Sequence, residues 1–266
     1  MCHPSLLGQV CRPSPPRRSF SGFNFVGPKN LDNILDTEAC KDLPGNEIAV
    51  LWKEFHEDKK DCLGWVMEGE IGKAVLDTAR DKNGKFFIVP IFETPTTNDD
   101  GANGQSDCYG TTPQNAGYFN LIVQFFPDNH FVLAPLDKYQ SNPAEAQPVL
   151  SFSVFDDYIE SKNMCLVRAD IVAKAFDVKD AQKVISMTLK SWEGKGDTHF
   201  VDLFNNKSEE FEFEQYIEEA RKQWVRVCDL PSEELGAEFG VVSNTIYVTS
   251  FACRLSRHSS GSYKPK

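Results

Sequence analysis

No acidic residue precedes Asp32, no two cysteines form a Cys-x-x-Cys pair, and the strings His-Glu-x-x-His and Gly-x-Ser-x-Gly are missing. Nor does any window approach the uninterrupted apolar run of about 18 residues that a membrane-crossing helix needs. Each absence removes a class of function. Without the apolar run, no membrane insertion is expected. Without paired cysteines or the His pair there is no zinc cage to read, so neither a metal nor a cofactor is expected. Without the nucleophile elbow and its companions, no catalytic residue stands out, and the chain does not read as an enzyme. The eight cysteines (2, 11, 40, 62, 108, 165, 228 and 253) are scattered over a long chain. Disulfide scaffolds are short and Cys-dense, so these read as ordinary thiols of a reducing compartment. A formal charge of −11 repels a phosphate backbone, so nucleic acid is not an expected partner.

Aromatic residues are what the chain has in quantity. With 41% apolar residues, 20 Phe and 4 Trp among 266 residues, it can bury a large core. The acid-free start carries Arg12, Arg17, Arg18 and Lys29 among Ser5, Ser14, Ser19 and Ser21. That is the composition of an organelle transit peptide, drawn inward by an inside-negative membrane potential. Arg18-Ser19-Phe20-Ser21 looks like a mitochondrial processing site cut after Phe20. Residues 1–20 are therefore expected to be a mitochondrial transit peptide. A plastid address and a plain basic arm share this composition.

Downstream, Ile48, Leu51, Trp52 and Phe55 recur at i, i+3, i+4 and i+7, which predicts an amphipathic helix capped by Asn46 and ending near Lys59. Residues 62–67 read as a strand and 68–82 as a helix. Phe86–Phe92 (FFIVPIF) reads as a strand, and Pro90, lacking an N–H, places it at a sheet edge or a bulge. Residues 94–117 hold four glycines, two prolines and few apolar side chains, and read as a flexible loop. Tyr118–Phe126 and His130–Pro135 flank the turn Pro127-Asp128-Asn129, a hairpin signature. Residues 149–155 and 163–172 read as further strands. Asp177 and Asp180 open a helix whose inward stripe is Ala181, Val184, Ile185, Thr188, Leu189 and Trp192. Residues 198–204 read as a returning strand. Ser208-Glu209-Glu210 reads as the start of a last helix, with Phe213, Tyr216, Ile217, Ala220 and Trp224 on one face. Residues 241–252 offer one more strand, and the tail from Arg254 reads as disordered.

Connectors this short do not carry parallel crossovers. The expected fold is α/β of the α+β type: a single domain with a mainly antiparallel twisted β-sheet flanked by helices. The expected boundaries are 21–228 for the domain, with its loop at 94–117, and 229–266 for a C-terminal extension.

Two features invite chemistry and fall short. Gly69-Glu70-Ile71-Gly72-Lys73-Ala74 joins a strand to a helix, as a phosphate loop does. Met67 stands where that motif needs its first Gly, and Ala74 where it needs a magnesium-binding Ser or Thr. His56 borders an apolar helix stripe with no Ser or Cys partner signalled, and reads as structural.

Five blocks in order carry a resemblance: LDNIL (31–35), EIAVLWKEFH (47–56), SKNMCLVRAD with Arg168, DVKDAQKVISMTLKSW with Ala181-Gln182, and FNNKSEEFEF with Phe204-Asn205. Together they resemble the mitochondrial ATP synthase F1 complex assembly factor family, chaperones of the F1 beta subunit. The resemblance implies a single α/β domain that binds unassembled F1-ATPase beta subunit in the mitochondrial matrix, without nucleotide or metal, until alpha subunits replace it. The loop at 94–117 and the segment after Trp224 go beyond the family pattern, which leaves a resident accessory subunit of a divergent ATP synthase as one alternative; an enzyme with an unrecognised site is the alternative of a different class. The family carries no transferable signature for the contact surface. The apolar edge around Phe86, Phe87 and Ile91, with Phe211, is the expected partner-binding surface; plain core is the competing reading.

Overall fold

Six strands of alternating or continuous apolar sequence form one antiparallel sheet in the computed structural model, which describes residues 30–81, 83–92, 117–173, 176, 178–193, 198–229 and 241–242. They are β1 (Cys62–Glu68), β2 (Phe86–Phe92), β3 (Tyr118–Phe126), β4 (His130–Pro135), β5 (Leu150–Phe155) and β6 (Met164–Ile171). A two-residue strand, β7 (Val241–Val242), joins at one margin. The order is β2-β3-β4-β5-β6-β1-β7, and every pairing is antiparallel. The fold is a single α+β domain, as expected. The expectations for residues 1–20, for the loop 94–117 up to its last residue, and for most of 229–266 lie outside the described residues.

The hairpin β3–β4 turns at Asn129, whose φ of 60° suits asparagine better than a branched side chain. β2 is the edge strand, which is where Pro90 costs no ladder hydrogen bond. β6 lies between β5 and β1 with every side chain buried, so its sequence reads as a continuous apolar run interrupted by Arg168 and Asp170.

Helices α1 (Gly45–Glu57), α2 (Gly69–Arg80), α3 (Leu136–Ser141), α4 (Ile159–Lys162), α5 (Val178–Trp192), α6 (Thr198–Asn206) and α7 (Phe213–Asp229) cover the sheet unequally. One face carries the main core. There Phe87, Val89, Leu121, Val123, Phe131, Phe152 and Val167 meet α2, α5, α6 and α7. The ring of Phe131 stacks on Phe152 (4.6 Å between centroids) and meets Trp192 edge-on at 5.5 Å. Offset and edge-on rings of this kind add about 0.5–1.5 kcal/mol per pair beyond burial. On the other face α1 and the 3-10 turn Leu31–Asn33 cover β1 and β6 through Ile48, Leu51, Trp52, Val66 and Leu166. A smaller cluster under α3 holds Ile88, Ile122, Ala134 and Ala146.

Gly69 and Gly72 are explained by close approach. A Cβ at Gly72 would stand 2.7 Å from the Cys165 side chain, and one at Gly69 would stand 2.7 Å from Asn163 Oδ1. The string that imitates a phosphate loop is thus the place where α2 crosses β6.

Four local expectations change. Residues 198–204 are not a strand but most of α6, with Phe200, Val201 and Leu203 buried. Aromatic and β-branched composition favours strand, yet the buried positions cluster as on one helical face, and packing against β2 decides. Ser208–Glu210 is a separate 3-10 turn, and α7 starts only at Phe213. The first residue before α1 is Pro44, so Asn46 lies inside the helix rather than capping it. The buried stripe of α1 also rotates by one position: His56 is buried, and Phe55 stays at the rim under Lys59 Nζ.

Candidate functional site

An edge strand normally offers a row of free backbone groups to any extended chain that meets it. In β2 the bond from Phe125 N–H to Lys85 C=O (2.8 Å) shows that odd-numbered residues bond β3, so the even-numbered ones face outward. At Phe86 both outward groups are taken by one side chain. Phe86 N–H donates to Asn205 Oδ1 (3.1 Å), and Asn205 Nδ2 donates to Phe86 C=O (2.6 Å) and to Val201 C=O (2.8 Å). At Ile88 the carbonyl accepts from the Tyr216 hydroxyl. At Pro90 there is no N–H at all. Helices α6 and α7 therefore shield the edge with side chains, and strand addition at β2 is not available from Phe86 to Pro90. Asn205→Ala removes both bonds to Phe86 and is expected to cost about 1–3 kcal/mol, measured by urea unfolding.

Aromatic rings line this shielded margin. Phe87 meets Tyr216 (4.9 Å), Phe204 (5.8 Å), Trp192 (5.8 Å) and Phe211 (6.4 Å). At the other end of β2, Phe92 lies 5.5 Å from Tyr118 and 6.2 Å from Trp224, with the Arg221 guanidinium 4.5 Å over its ring. Tyr118 and Phe119 are 39% and 48% exposed, the largest aromatic surface among the described residues. Phe119 pairs with Ile91 across the ladder. Exposed aromatics beside an arginine are the composition of an interface hot spot.

The expected partner-binding residues thus share one margin at different depths. Phe86 and Phe211 are half-buried, while Phe87 (0% exposed) and Ile91 (6% exposed) are core side chains on the sheet face opposite Phe86. Tyr118 and Phe119 were not singled out in the sequence. The apolar start of a strand after a long Gly-containing stretch of sequence was the available signal. Asn205 was legible only as half of a Phe-Asn pair, because its role needs α6 beside β2.

The opposite face holds a buried polar cluster. Arg168 and Asp170 stand two apart on β6 and so share a face. Arg168 Nη2 donates to Asp170 Oδ1 (2.9 Å) and Nε to Oδ2 (3.3 Å), a bidentate pair with both residues more than nine-tenths buried. Burial works against the guanidinium charge, and the hydrogen bonds and charge of Asp170 outweigh it, holding the pKa above its ordinary value. Burial, then the Asp170 charge, push the Cys62 thiol up to about 12, which leaves it a poor nucleophile. Burial lowers His56 from 6.5 to about 3, against the pull of the Trp52 carbonyl 2.7 Å from Nδ1 and with the added repulsion of Arg168. His56 is therefore neutral near pH 7, too weak a base to accept protons in that range.

That shift has a sign. The folded pKa lies below the unfolded one, so the contribution to stability is fully present above about pH 6.5. It falls as pH drops towards 3, by at most about 1.4 kcal/mol per pH unit. Between pH 7 and pH 5 the wild-type protein should lose up to about 2 kcal/mol more than His56→Gln, measured by urea unfolding at both pH values.

Among the described residues, no three His, Cys, Asp or Glu side chains converge as a metal cage, and no helix is long and apolar enough to cross a membrane. The cleft lined by Ser191, Phe200, Tyr216 and Glu219 is a shallow dent with room for little more than a water molecule, far too small for a small-molecule site.

A family model described as ATP11 protein matches residues 23–217, most of the chain. A comparison with curated proteins finds no match. The five sequence blocks from LDNIL to FNNKSEEFEF all fall inside the matched span, and so do β1 to β6 and the shielded margin of β2. The chain belongs to the ATP11 protein family, the family of F1-ATPase assembly factors.

Proposed function

We propose that this protein is a chaperone for assembly of mitochondrial F1-ATPase, which binds unassembled beta subunit and keeps it from aggregating until alpha subunits replace it. The observation that carries the reading is the family match over residues 23–217. Its physical basis is the state of the client. A beta subunit awaiting its neighbours exposes apolar interface, and such surface aggregates. A cover of roughly 1,000 Å² or more would hold it without covalent chemistry, and competition by alpha for the same surface would release it.

The proposed docking surface is the β2 margin. Phe86 and Phe211 supply half-buried rings, Phe87 backs Phe211 from the core, and Ile91, Tyr118, Phe119 and Arg221 extend the surface at the far corner. Because Asn205, Tyr216 and Pro90 close the edge from Phe86 to Pro90, docking there is by side chains rather than by an added strand. The proposed location is the mitochondrial matrix, reached through a leader cut after Phe20. The family match begins at residue 23, just past that cut.

Affinity capture from mitochondria tests the reading. Recovery of free beta subunit, enriched when alpha is depleted, is expected. Failure to recover beta under that block contradicts it, and co-migration with intact synthase at fixed stoichiometry replaces the chaperone with a resident subunit. N-terminal sequencing of the native protein should begin near Ser21.

A further inference from the structure

One end of β2 carries a cation without an anion. Arg221, partly exposed on α7, holds its guanidinium 4.5 Å over the ring of Phe92. A ring contact engages the charge and leaves the five N–H donors without an oxygen acceptor. Among the described residues, no ion pair or hydrogen bond reaches Arg221. Neighbouring cations are neutralised. Lys222 pairs with Glu219 (3.1 Å), and Lys183, 5.6 Å over the Trp224 ring, pairs with Asp180 (3.3 Å). Glu218 stands three residues before Arg221, a spacing that suits a helical ion pair, and no such pair forms. The guanidinium is turned to the end of β2 rather than along its own helix.

A second observation falls on the same corner. Among the described residues four large apolar side chains are exposed, and three of them belong here. The Tyr118 ring lies 5.5 Å from Phe92, Phe119 follows it on β3, and Val225 stands one turn beyond Arg221 on α7.

A guanidinium presents its donors in a rigid fork that a carboxylate meets with two bonds. With a net charge of −11, the chain as a whole repels an acidic partner, so such a partner needs a local cation, and Arg221 supplies one. We propose that this corner anchors an acidic–apolar segment of the client. Arg221 takes a side-chain carboxylate in a bidentate pair, and Tyr118, Phe119 and Val225 seat the apolar residues beside it. The identity of the client rests on the chaperone reading; the chemistry of the segment rests on the corner itself.

Titration of purified, unassembled beta subunit against the full chain, at low and at high salt, tests the anchor, with Arg221→Glu, Arg221→Gln and Arg221→Lys as variants. Wild-type affinity should fall as salt rises. Arg221→Glu should bind roughly thirtyfold more weakly or worse. Arg221→Gln should bind roughly tenfold more weakly and lose most of the salt dependence. Arg221→Lys, which keeps the charge without the fork, should fall between wild type and Arg221→Gln. Should Arg221→Glu lower the urea midpoint, Arg221→Gln decides: a weaker, salt-insensitive complex supports the anchor, and an unchanged one overturns it. Wild-type binding that neither Arg221→Glu nor Arg221→Gln alters overturns the anchor and leaves the chaperone reading standing. No binding of beta by wild type overturns both. A dimer of this protein that Arg221→Glu dissolves, with beta binding untouched, assigns the corner to a second copy and overturns the anchor.

Discussion

Asp170→Ala should destabilise the fold by about 3–5 kcal/mol, because it leaves the Arg168 charge buried without its partner. The two side chains lie in the middle of the sheet, where β5 and β1 flank β6 and α1 packs nearby. Water has little access: Arg168 is 6% and Asp170 7% exposed. The effect of breaking the pair must be distinguished from the worth of having it. Desolvating two charges offsets most of their attraction, so an apolar pair of similar volume is often neutral or better. Arg168→Met combined with Asp170→Leu is therefore expected to recover most of the stability that Asp170→Ala loses. Urea unfolding of the three chains makes the comparison. A loss below about 1 kcal/mol for Asp170→Ala would mean that the pair behaves as a solvated surface bridge, and the burial argument would fail.

The second large effect is expected at Phe87. Its ring is fully buried and meets Tyr216, Phe204, Trp192 and Phe211. Phe87→Ala opens a cavity at the junction of β2, α5, α6 and α7 and should cost about 3–5 kcal/mol, lowering Tm by on the order of 10 °C. Phe119→Ser at the exposed corner should stay within about 0.5 kcal/mol of wild type. On the proposed function the ranking reverses for client capture. At a temperature where both variants remain folded, Phe119→Ser should weaken retention of beta subunit more than Phe87→Ala does. Equal retention by Phe119→Ser and wild type would remove the corner from the docking surface and leave the family assignment standing.

Much of this architecture was legible before any coordinates. The hairpin at Pro127-Asp128-Asn129 was readable because turn chemistry is local, and Asn129 adopts the positive φ that such a turn needs. Pro90 announced an edge strand through a single missing donor. The stripe from Ala181 to Trp192 was readable because one face of a helix repeats regularly, and all six of its inward positions are buried. What failed was decided by tertiary contacts. Residues 198–204 have strand-like composition, but β2 needed an Asn205 side chain beside Phe86, and a helix supplies it. His56 replaced Phe55 in the buried stripe because Gly64, on the facing strand, leaves room for an imidazole. The candidate docking surface was the hardest part. Phe86, Phe87, Ile91 and Phe211 look alike in sequence, and only the packing of α6 and α7 separates the half-buried rings from the core. Exposure of Tyr118 and Phe119 depends on what does not cover them, which no local pattern encodes.

Chaperone action itself is open to a direct measurement: light scattering from purified, unassembled F1 beta subunit incubated at an aggregating temperature, with and without this protein, followed by addition of alpha subunit. The account predicts that near-stoichiometric protein suppresses scattering and that alpha then displaces it from beta. Scattering that rises identically in its presence, or a complex with beta that alpha cannot dissociate, would contradict it.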